Sequence, residues 1–320
     1  MPSLTVEQIL TGTTVGRMQA AGQMAIIPIL DDGGSGDWFA PPEFEAGTRN
    51  YGELRIRNRS SRETILPTGT AFLTSEAAQD HAAPSAMILA GSSENQINNA
   101  YCIQETQGGL IRQTARDFLI LPVQLRAFAL AHRAQAKYDA MWPHIRAFKQ
   151  SIGLSGPGNL IEFLKRFEKE LEQFVAEFEL VPRQVGALIM VAGKLVGIER
   201  APSEAFWAKL WDPLVRVCYG SLALREAVRP GVGLPPTRQP ITASGPLEAL
   251  SRALEAAAEV TKGLVIATVE TLRPKVLTAA PQVDQISGQS RVLTLASREY
   301  AGQIVTRANV PVYASICAAG

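Results

Sequence analysis

Hydrophobic and polar positions alternate over short distances in the first part of the chain, which is the pattern of antiparallel strands. Residues 51–58 (YGELRIRN) show the alternation clearly, and the turn-forming residues 58–61 (NRSS) follow them. Further strands are predicted at residues 24–30, 63–66, 86–89, 100–104 and 118–121. Many short strands separated by turns favour a sandwich or a strongly bent antiparallel sheet.

After Pro122 the apolar positions recur at helical spacing. Pro143 is expected to kink or divide the first of these helices. Gly193-Lys194, between two apolar runs, predicts a β-hairpin with a type II′ turn. The order of strands, helices, hairpin and helices predicts an α+β fold, in which an antiparallel, strand-rich N-terminal half packs with long helices. Helices are predicted at residues 4–10, where Thr5 and Gln8 have capping-box spacing, and at 123–150, 160–178, 203–210 and 213–228.

A proline-rich stretch predicts a division of the chain. Residues 230–240 (PGVGLPPTRQP) contain four prolines and two glycines, a composition typical of linkers. We therefore expect a main α+β domain over residues 1–229, a linker over 230–245 and a helix-and-strand C-terminal extension over 246–320. The extension either completes the main domain or mediates assembly by adding its strands to the sheet edge of another subunit.

If the linker is a true boundary, truncation at Pro235 should leave a soluble folded core. The extension itself is predicted to contain one helix that ends before Pro274 and strands at residues 291–295, 300–305 and 310–316.

Composition excludes several classes of function. The net charge is +1, from 31 basic and 30 acidic residues, so the chain lacks the basic footprint of a nucleic-acid-binding protein. Its three cysteines are far apart and form no CxxC motif, which argues against a disulfide framework or a zinc module. No apolar run approaches the roughly 20 residues of a membrane span. The first residues lack the features of a signal peptide, which favours a cytoplasmic protein without a membrane partner.

Candidate chemistry concentrates between residues 65 and 111. If the strands that carry them are neighbours, a thiol, an imidazole and a carboxylate converge there, as nucleophilic or acid–base catalysis requires. The spacing matches no known triad, so the sequence identifies no catalytic residue, no metal site and no cofactor. Convergent polar side chains also suit a ligand-binding pocket. The candidate ligand-binding residues are Gln79, Asp80, His81, Cys102, Glu105 and Gln107.

The order of these motifs resembles that of a known family. The residues on which the resemblance rests are Gln79-Asp80-His81, the run 87–92 (MILAGS) and the run 102–105 (CIQE), followed by the hairpin near residues 184–199. They are similar to the predominantly bacterial ARG and rhodanese-phosphatase-superfamily-associated protein domain, the ADP-ribosylglycohydrolase-associated family, over about residues 20–225. His81 stands where the family has an arginine, and the sequence at the end of the second motif departs from the family pattern.

The resemblance implies a direction for function. The family is linked to ADP-ribose and NAD-related enzymes by genomic association, which implies a small-molecule or nucleotide-related binding domain with or without enzymatic activity. The alternative is a self-associating structural or scaffold protein, a homo-oligomer without catalysis. Low surface charge, the two departures from the family motif and the strand-like tail favour that alternative.

Overall fold

The structure is a computed structural model that describes residues 3–33, 36–48, 50–73, 80–106, 115–228, 247–278 and 280–318. The α-helices are α1 (Val6–Ile9), α2 (Val123–Ala131), α3 (Trp142–Gln150), α4 (Leu160–Arg166), α5 (Glu168–Glu177), α6 (Glu204–Asp212), α7 (Gly220–Val228) and α8 (Leu247–Leu272). A 3₁₀ turn (Arg133–Gln135) follows α2, and a π-helix (Pro213–Tyr219) joins α6 to α7.

The strands belong to one large sheet and several small ones. They are β1 (Leu4–Thr5), β2 (Thr13–Val15), β3 (Gln19–Ala21), β4 (Met24–Asp31), β5 (Phe44–Gly47), β6 (Leu54–Asn58), β7 (Thr64–Leu66), β8 (Thr70–Phe72), β9 (His81–Ala82), β10 (Met87–Leu89), β11 (Glu94–Ile97), β12 (Tyr101–Cys102), β13 (Phe118–Ile120), β14 (Gln184–Val191), β15 (Lys194–Arg200), β16 (Val276–Thr278), β17 (Gln282–Ser287), β18 (Ser290–Ala296), β19 (Tyr300–Arg307) and β20 (Val310–Ala318). The predicted α+β class with antiparallel sheets is confirmed.

A nine-stranded antiparallel sheet joins the two ends of the chain. Its order is β17-β18-β19-β20-β15-β14-β4-β2, and β3 also pairs with β4. β20 lies between β19 and β15, with Gly197 opposite Cys317 and Arg200 opposite Ala314. The three predicted closing strands, β18 to β20, therefore pair on both sides and leave no free edge. β17, which was not predicted, has a described partner on one side only.

Helices cover both faces of this sheet. Successive side chains of a strand point to opposite faces, so neighbours on β14 enter different cores. Leu188 packs in a core with α1 and α8, to which Val265 and Val269 belong. Ile189 packs in the opposite core with α6 and α7. Among the described residues, no helix is long and apolar enough to cross a membrane.

The N-terminal half forms smaller antiparallel sheets instead of one sandwich. The four-stranded sheet has the order β12-β9-β8-β13, the three-stranded sheet β11-β6-β5, and β10 pairs with β7. Leu54, Ile56, Phe72 and Leu89 pack in the core between them. The predicted strands exist here but are shorter than their apolar runs.

Local predictions hold with some corrections. Thr5 and Gln8 form the predicted capping box of α1. The hairpin turn is Ala192-Gly193 and not Gly193-Lys194: both residues have positive φ (49° and 74°), which is a type I′ turn. Lys194 is already paired in β15.

Two long predicted helices are divided. The chain leaves α2 after Ala131, and Pro143 lies in the first turn of α3, where its missing N–H removes no helical hydrogen bond. Residues 160–178 form α4 and α5, which are separated at Phe167.

A fully buried ion pair ties α2 to the large sheet. The Arg126 guanidinium donates to Glu199 Oε1 (2.7 Å) and to Ser315 Oγ (2.9 Å), and a further guanidinium N–H donates to Tyr219 Oη (2.8 Å). The Tyr219 hydroxyl donates to Glu199 (2.5 Å). The side chains of Arg126 and Glu199 are only 1% and 2% exposed. Sequence periodicity gave no sign of this pair, because each element also contains other polar residues and the pairing exists only in the folded chain.

Two glycines leave the space that this buried cluster needs. A Cβ at Gly197 would lie 2.1 Å from Tyr219 Oη. Gly69, at φ +78°, brings its backbone against Arg126, and a Cβ there would lie 2.8 Å from Arg126 Cγ. Burial raises the pKa of the Tyr219 phenol, so the hydroxyl keeps the proton that it donates to Glu199.

Side chains of the C-terminal strands also bond the backbone of the N-terminal half. These bonds give partners to backbone groups in β10 and in the loops beside β7, β8 and β10, which no strand ladder pairs. Tyr313 Oη accepts from Thr68 N (2.9 Å), Gln303 Oε1 accepts from Ala86 N (2.6 Å), and the Gln285 amide both accepts from Ile88 N (2.8 Å) and donates to Ile88 O (3.0 Å).

We expect substitution of either charged partner in the buried pair to be strongly destabilising. Arg126→Met or Glu199→Met should lower the free energy of unfolding by about 3–5 kcal/mol, because each leaves a buried charge without its partner. The double variant should cost no more than either single one, since it removes both charges. Urea unfolding measures this, with Arg59→Met, from an exposed ion pair with Glu45, as the control. Additive losses in the double variant would contradict the coupling.

Truncation at Pro235 is now expected to prevent folding, contrary to the expectation from the linker alone. The shorter chain loses β16 to β20, which uncovers the β15 edge and part of both cores. Solubility and near-ultraviolet circular dichroism measure the outcome, and co-expression of residues 236–320 should restore a folded complex. A soluble, cooperatively folded 1–235 fragment would show that the main core is independent.

Candidate functional site

The four-stranded sheet brings the sequence motifs together at one end. His81 on β9 is paired with Cys102 on β12 and, on its other side, with Phe72 on β8. Phe72 in turn pairs with Phe118 on β13. The strands that carry the two predicted motifs are therefore neighbours. Asp80, His81, Cys102 and Glu105 lie at this end of the sheet, whereas Gln79 and Gln107 lie outside the described residues.

Three polar side chains of this region are buried. Asp80, His81 and Gln104 are 2%, 0% and 4% exposed. Gln104 Nε2 donates to Asp80 Oδ2 (3.1 Å), and the backbone N–H of Ile103 donates to the carbonyl of Asp80 (3.0 Å). Gln104 Oε1 is buried and accepts no hydrogen bond from the described residues. A buried acceptor without a donor costs about 1–3 kcal/mol, so such an atom calls for a role beyond packing.

Cys102 does not have the environment of a nucleophile. The thiol is completely buried. Burial raises the pKa of Cys102, and the Asp80 charge adds to that effect, against the opposing influence of the Gln104 backbone and the Trp142 side chain. The thiol form is therefore favoured over the reactive thiolate. The geometry places His81 beside Cys102 but does not activate the pair.

Glu105 fastens a loop to the end of β12. Its Oε2 accepts from the backbone N–H of Gly158 (2.5 Å) and from Arg146 on α3 (2.5 Å). These partners lower the pKa of Glu105: the Gly158 hydrogen bond has the largest effect, and Arg146 and Lys149 add to it. A Cβ at Gly158 would lie 2.6 Å from the carbonyl oxygen of Trp142, so glycine permits the close approach.

A second set of bonds holds the same loop to the end of β12, and we term the two sets together the clamp. Asn159 Nδ2 donates to Thr106 Oγ1 (2.7 Å) and to Glu162 Oε1 (3.0 Å), and Asn159 Oδ1 accepts from the Thr106 backbone (3.1 Å). Lys149 donates to Glu162 and to the carbonyl of Pro157 (2.9 Å). The charged side chains of this clamp are thus paired with one another. The sequence marked this glycine- and proline-containing loop only as a break between helices.

Metal chemistry has no assembled site in this part of the chain. Within the ranges that the structure describes, no group of three or more His, Cys, Asp and Glu is placed to hold a metal ion. His132 and His144 instead stack on Phe128, with ring centroids 4.5 Å and 3.7 Å away. Partial burial and the neighbouring His132 lower the pKa of His144.

A separate groove lies far from these motifs in sequence. It is formed by α1, β18, β19 and the turn before β20, and encloses about 280 Å³. The buried Thr306 hydroxyl, which has no hydrogen-bond partner within the described ranges, is on its wall. None of the predicted site residues contributes to it. Its lining is uncharged: Leu4, Gln8, Thr11, Pro281, Leu293, Thr306, Asn309, Val310 and Pro311.

The depressed pKa of Glu105 gives a pH-dependent prediction. Because the folded state holds this carboxylate below its ordinary pKa of 4.5, its stabilisation is present above that pH and is lost as the pH falls through the folded value. Glu105→Gln should therefore be less stable at neutral pH and lose less stability on acidification. Thermal unfolding from pH 7 downward measures the difference, with exposed Glu168→Gln as the control. Parallel stability curves for Glu105→Gln and the wild type would refute the clamp.

Comparison with known proteins supports the resemblance seen in the motifs. The model of the ARG and Rhodanese-Phosphatase-superfamily-associated Protein domain matches residues 12–283, from just before β2 into β17. The match is longer than the predicted stretch of about 20–225 and ends before β18. No curated protein and no solved structure shows significant similarity to the chain. Because the family model covers well over half of its length, the chain belongs to the ARG and Rhodanese-Phosphatase-superfamily-associated Protein domain family.

Proposed function

We propose that the protein binds a small nucleotide-related molecule, of the ADP-ribose or NAD type, at the end of the four-stranded sheet. The observation that carries the proposal is the buried Gln104 carbonyl oxygen, which has no donor among the described residues and lies on a side chain bonded to buried Asp80. The family name supports a nucleotide-related ligand, since it records association with ARG, the ADP-ribosylglycohydrolase of the resemblance described above. The binding residues are Asp80, His81 and Gln104.

The chemistry of this cluster suits the ribose part of such a ligand. A carboxylate and an amide oxygen both accept hydrogen bonds, and ribose hydroxyls are donors that dinucleotide-binding proteins commonly recognise with a carboxylate. The nearest positive charges of the clamp, Arg146 and Lys149, are paired with Glu105 and Glu162. Phosphate groups therefore have no free cation in the clamp, and the diphosphate is expected to lie outside this cluster.

The same geometry limits the proposal to binding. Cys102 is a buried thiol with a raised pKa, and Glu105 holds a loop. Cys102 is therefore held as the thiol and not as the reactive thiolate, and the Glu105 carboxylate is occupied by Gly158 and Arg146. A reaction is therefore not part of the proposal.

Titration with ADP-ribose and with NAD tests the binding site. The wild type should gain stability, by about 2.7 kcal/mol at a ligand concentration of 100 times Kd. Gln104→Leu and Asp80→Asn should weaken binding at least tenfold, because each removes an acceptor for the ligand. Calorimetry and thermal unfolding measure both effects. Glu105→Gln is the control, since its carboxylate is assigned to the clamp.

Two results would count against the site. Unchanged affinity in Gln104→Leu and Asp80→Asn, with both variants folded, would place the ligand elsewhere. Absence of stabilisation of the wild type by either compound would remove the nucleotide-related ligand itself.

A second candidate function, self-association of the chain, is favoured by the outer side of α8. Val260 and Leu264 are 74% and 54% exposed on this helix, and Ile266 is 45% exposed. Large apolar side chains exposed together on one helix are typical of a contact surface for another molecule. Light scattering at micromolar concentration measures self-association directly, and the mass of one chain throughout would refute it.

A further inference from the structure

The groove beside α1, which we term the α1 groove, lies on the face of the large sheet that carries α1 and α8. Leu4 in its wall belongs to the core on that face, whereas Ile120 of the four-stranded sheet belongs to the core on the other face. The large sheet therefore separates the α1 groove from the proposed nucleotide site, and a molecule bound in this groove would be a second ligand.

The end of the β19–β20 hairpin shapes one side of the α1 groove. The turn is Ala308-Asn309, and both residues have positive φ (48° and 67°), as a type I′ turn requires. Thr306 pairs with Pro311 beside a shift of register, and Pro311 has no N–H to give to the strand ladder. Irregular pairing of this kind changes the direction of side chains at the end of a sheet. Thr306, Asn309 and Pro311 all line the groove.

Thr306 is an exception among the buried threonines. It is 4% exposed, and its hydroxyl has no hydrogen-bond partner among the described residues. The other six threonines that are buried in the described ranges each donate to an oxygen atom: Thr13, Thr48, Thr64, Thr68, Thr70 and Thr294. Buried polar groups are almost always hydrogen-bonded, so a lone hydroxyl on the wall of a groove indicates a partner from outside the chain.

Gln8 supplies a hydrogen-bond donor that is already oriented. Its Oε1 accepts from Thr5 N (2.9 Å), which is one half of the capping box of α1. That bond holds the amide in place, while Nε2 has no partner among the described residues. A donor that is fixed before binding costs little entropy to use, and it favours a ligand with an acceptor such as a carbonyl oxygen.

We propose that the α1 groove binds a small neutral carbonyl compound, whose polar group bonds to Gln8 Nε2 and to the Thr306 hydroxyl. None of the described residues that line the groove is charged, so an ionic ligand would lose water without gaining a counter-charge. Leu4, Leu293 and Val310 in the wall favour an apolar body for the rest of the ligand.

The volume of the groove limits the size of the ligand. A cavity of about 150 Å³ holds benzene, so the 280 Å³ of the α1 groove suits roughly ten to twelve non-hydrogen atoms. Benzamide, with an aromatic ring and one neutral carboxamide, fits this limit and serves as the probe.

An isosteric series of ligands tests the chemistry. Benzamide, benzoate and benzamidinium have nearly the same shape and differ in charge. Benzamide at millimolar concentration should raise the Tm of the wild type, and calorimetry should show that the two ions bind at least tenfold more weakly, because the groove offers no counter-charge. No binding of benzamide, or equal binding of either ion, would overturn the neutral carbonyl ligand.

Two substitutions test the polar contacts. Gln8→Glu keeps the capping box, since glutamate also serves at the third helical position, but it removes the N–H donors and adds a charge. It should weaken benzamide binding at least tenfold. Thr306→Val should weaken binding about tenfold and leave the free protein no less stable, because its hydroxyl has no protein partner to lose. Thr294→Val, which loses a bond to Asp284, is the matched control and should lower the Tm.

Blocking the groove tests its location. Val310 is 45% exposed on the wall, so Val310→Trp should fill the groove without disturbing the core and abolish benzamide binding. Val283→Trp on β17, where the valine is 42% exposed and outside the lining, is the matched control. Benzamide binding that persists in both Val310→Trp and Gln8→Glu would place the probe elsewhere and overturn the site.

A shortened chain separates a free ligand from the protein's own first residues. Residues 1–2 precede Leu4 closely in sequence, so a variant that begins at Ser3 is compared with the full chain. Equal affinity for benzamide in both is expected. Binding by the shorter chain alone would identify the N-terminus as the occupant and overturn the proposed ligand.

Discussion

The buried pair of Arg126 and Glu199 is the constraint on which the arrangement of the chain depends. A guanidinium without water or a counter-charge is so unfavourable that α2 must come together with elements that supply oxygens to Arg126. The three oxygens, on Glu199, Tyr219 and Ser315, come from β15, the π-helix and β20. The pair therefore specifies one relative placement of α2 and the large sheet, which apolar packing alone would leave less sharply defined.

The small N-terminal sheets depend on the same arrangement. A two-stranded pair such as β7 and β10 is marginal alone, and its outer backbone groups need partners. The side chains of Gln285 and Gln303 supply them at Ile88 and Ala86. These glutamines lie beyond residue 283, where the family match ends, so the matched region is completed by strands outside it. The proline-rich stretch therefore lies between two parts of the sequence that these hydrogen bonds join in the folded chain.

The sequence predicted most of what local pattern controls. Period-two and helical spacing located the hairpin strands, α1, α6 and α8, whereas the motifs left open whether the strands that carry His81 and Cys102 are neighbours. It did not predict what tertiary contacts decide. Apolar spacing did not show the helix breaks near Ala131 and Phe167 or the position of the turn at Ala192-Gly193. Arg126 and Gln104 read as ordinary polar positions, because burial and missing partners are properties of the folded chain.

The large sheet separates the two proposed activities. The four-stranded sheet contributes Phe118 and Ile120 to the core on one face, whereas α8 contributes Val265 and Val269 to the core on the other. A ligand beside Gln104 and a second chain against the outer side of α8 therefore share no side chain. Coupling between two sites requires an element whose state both of them bias, whereas the described strands β4, β14, β15 and β20 between them are each paired on both sides. The two proposals together therefore predict the same affinity for ligand in one chain and in a self-associated pair.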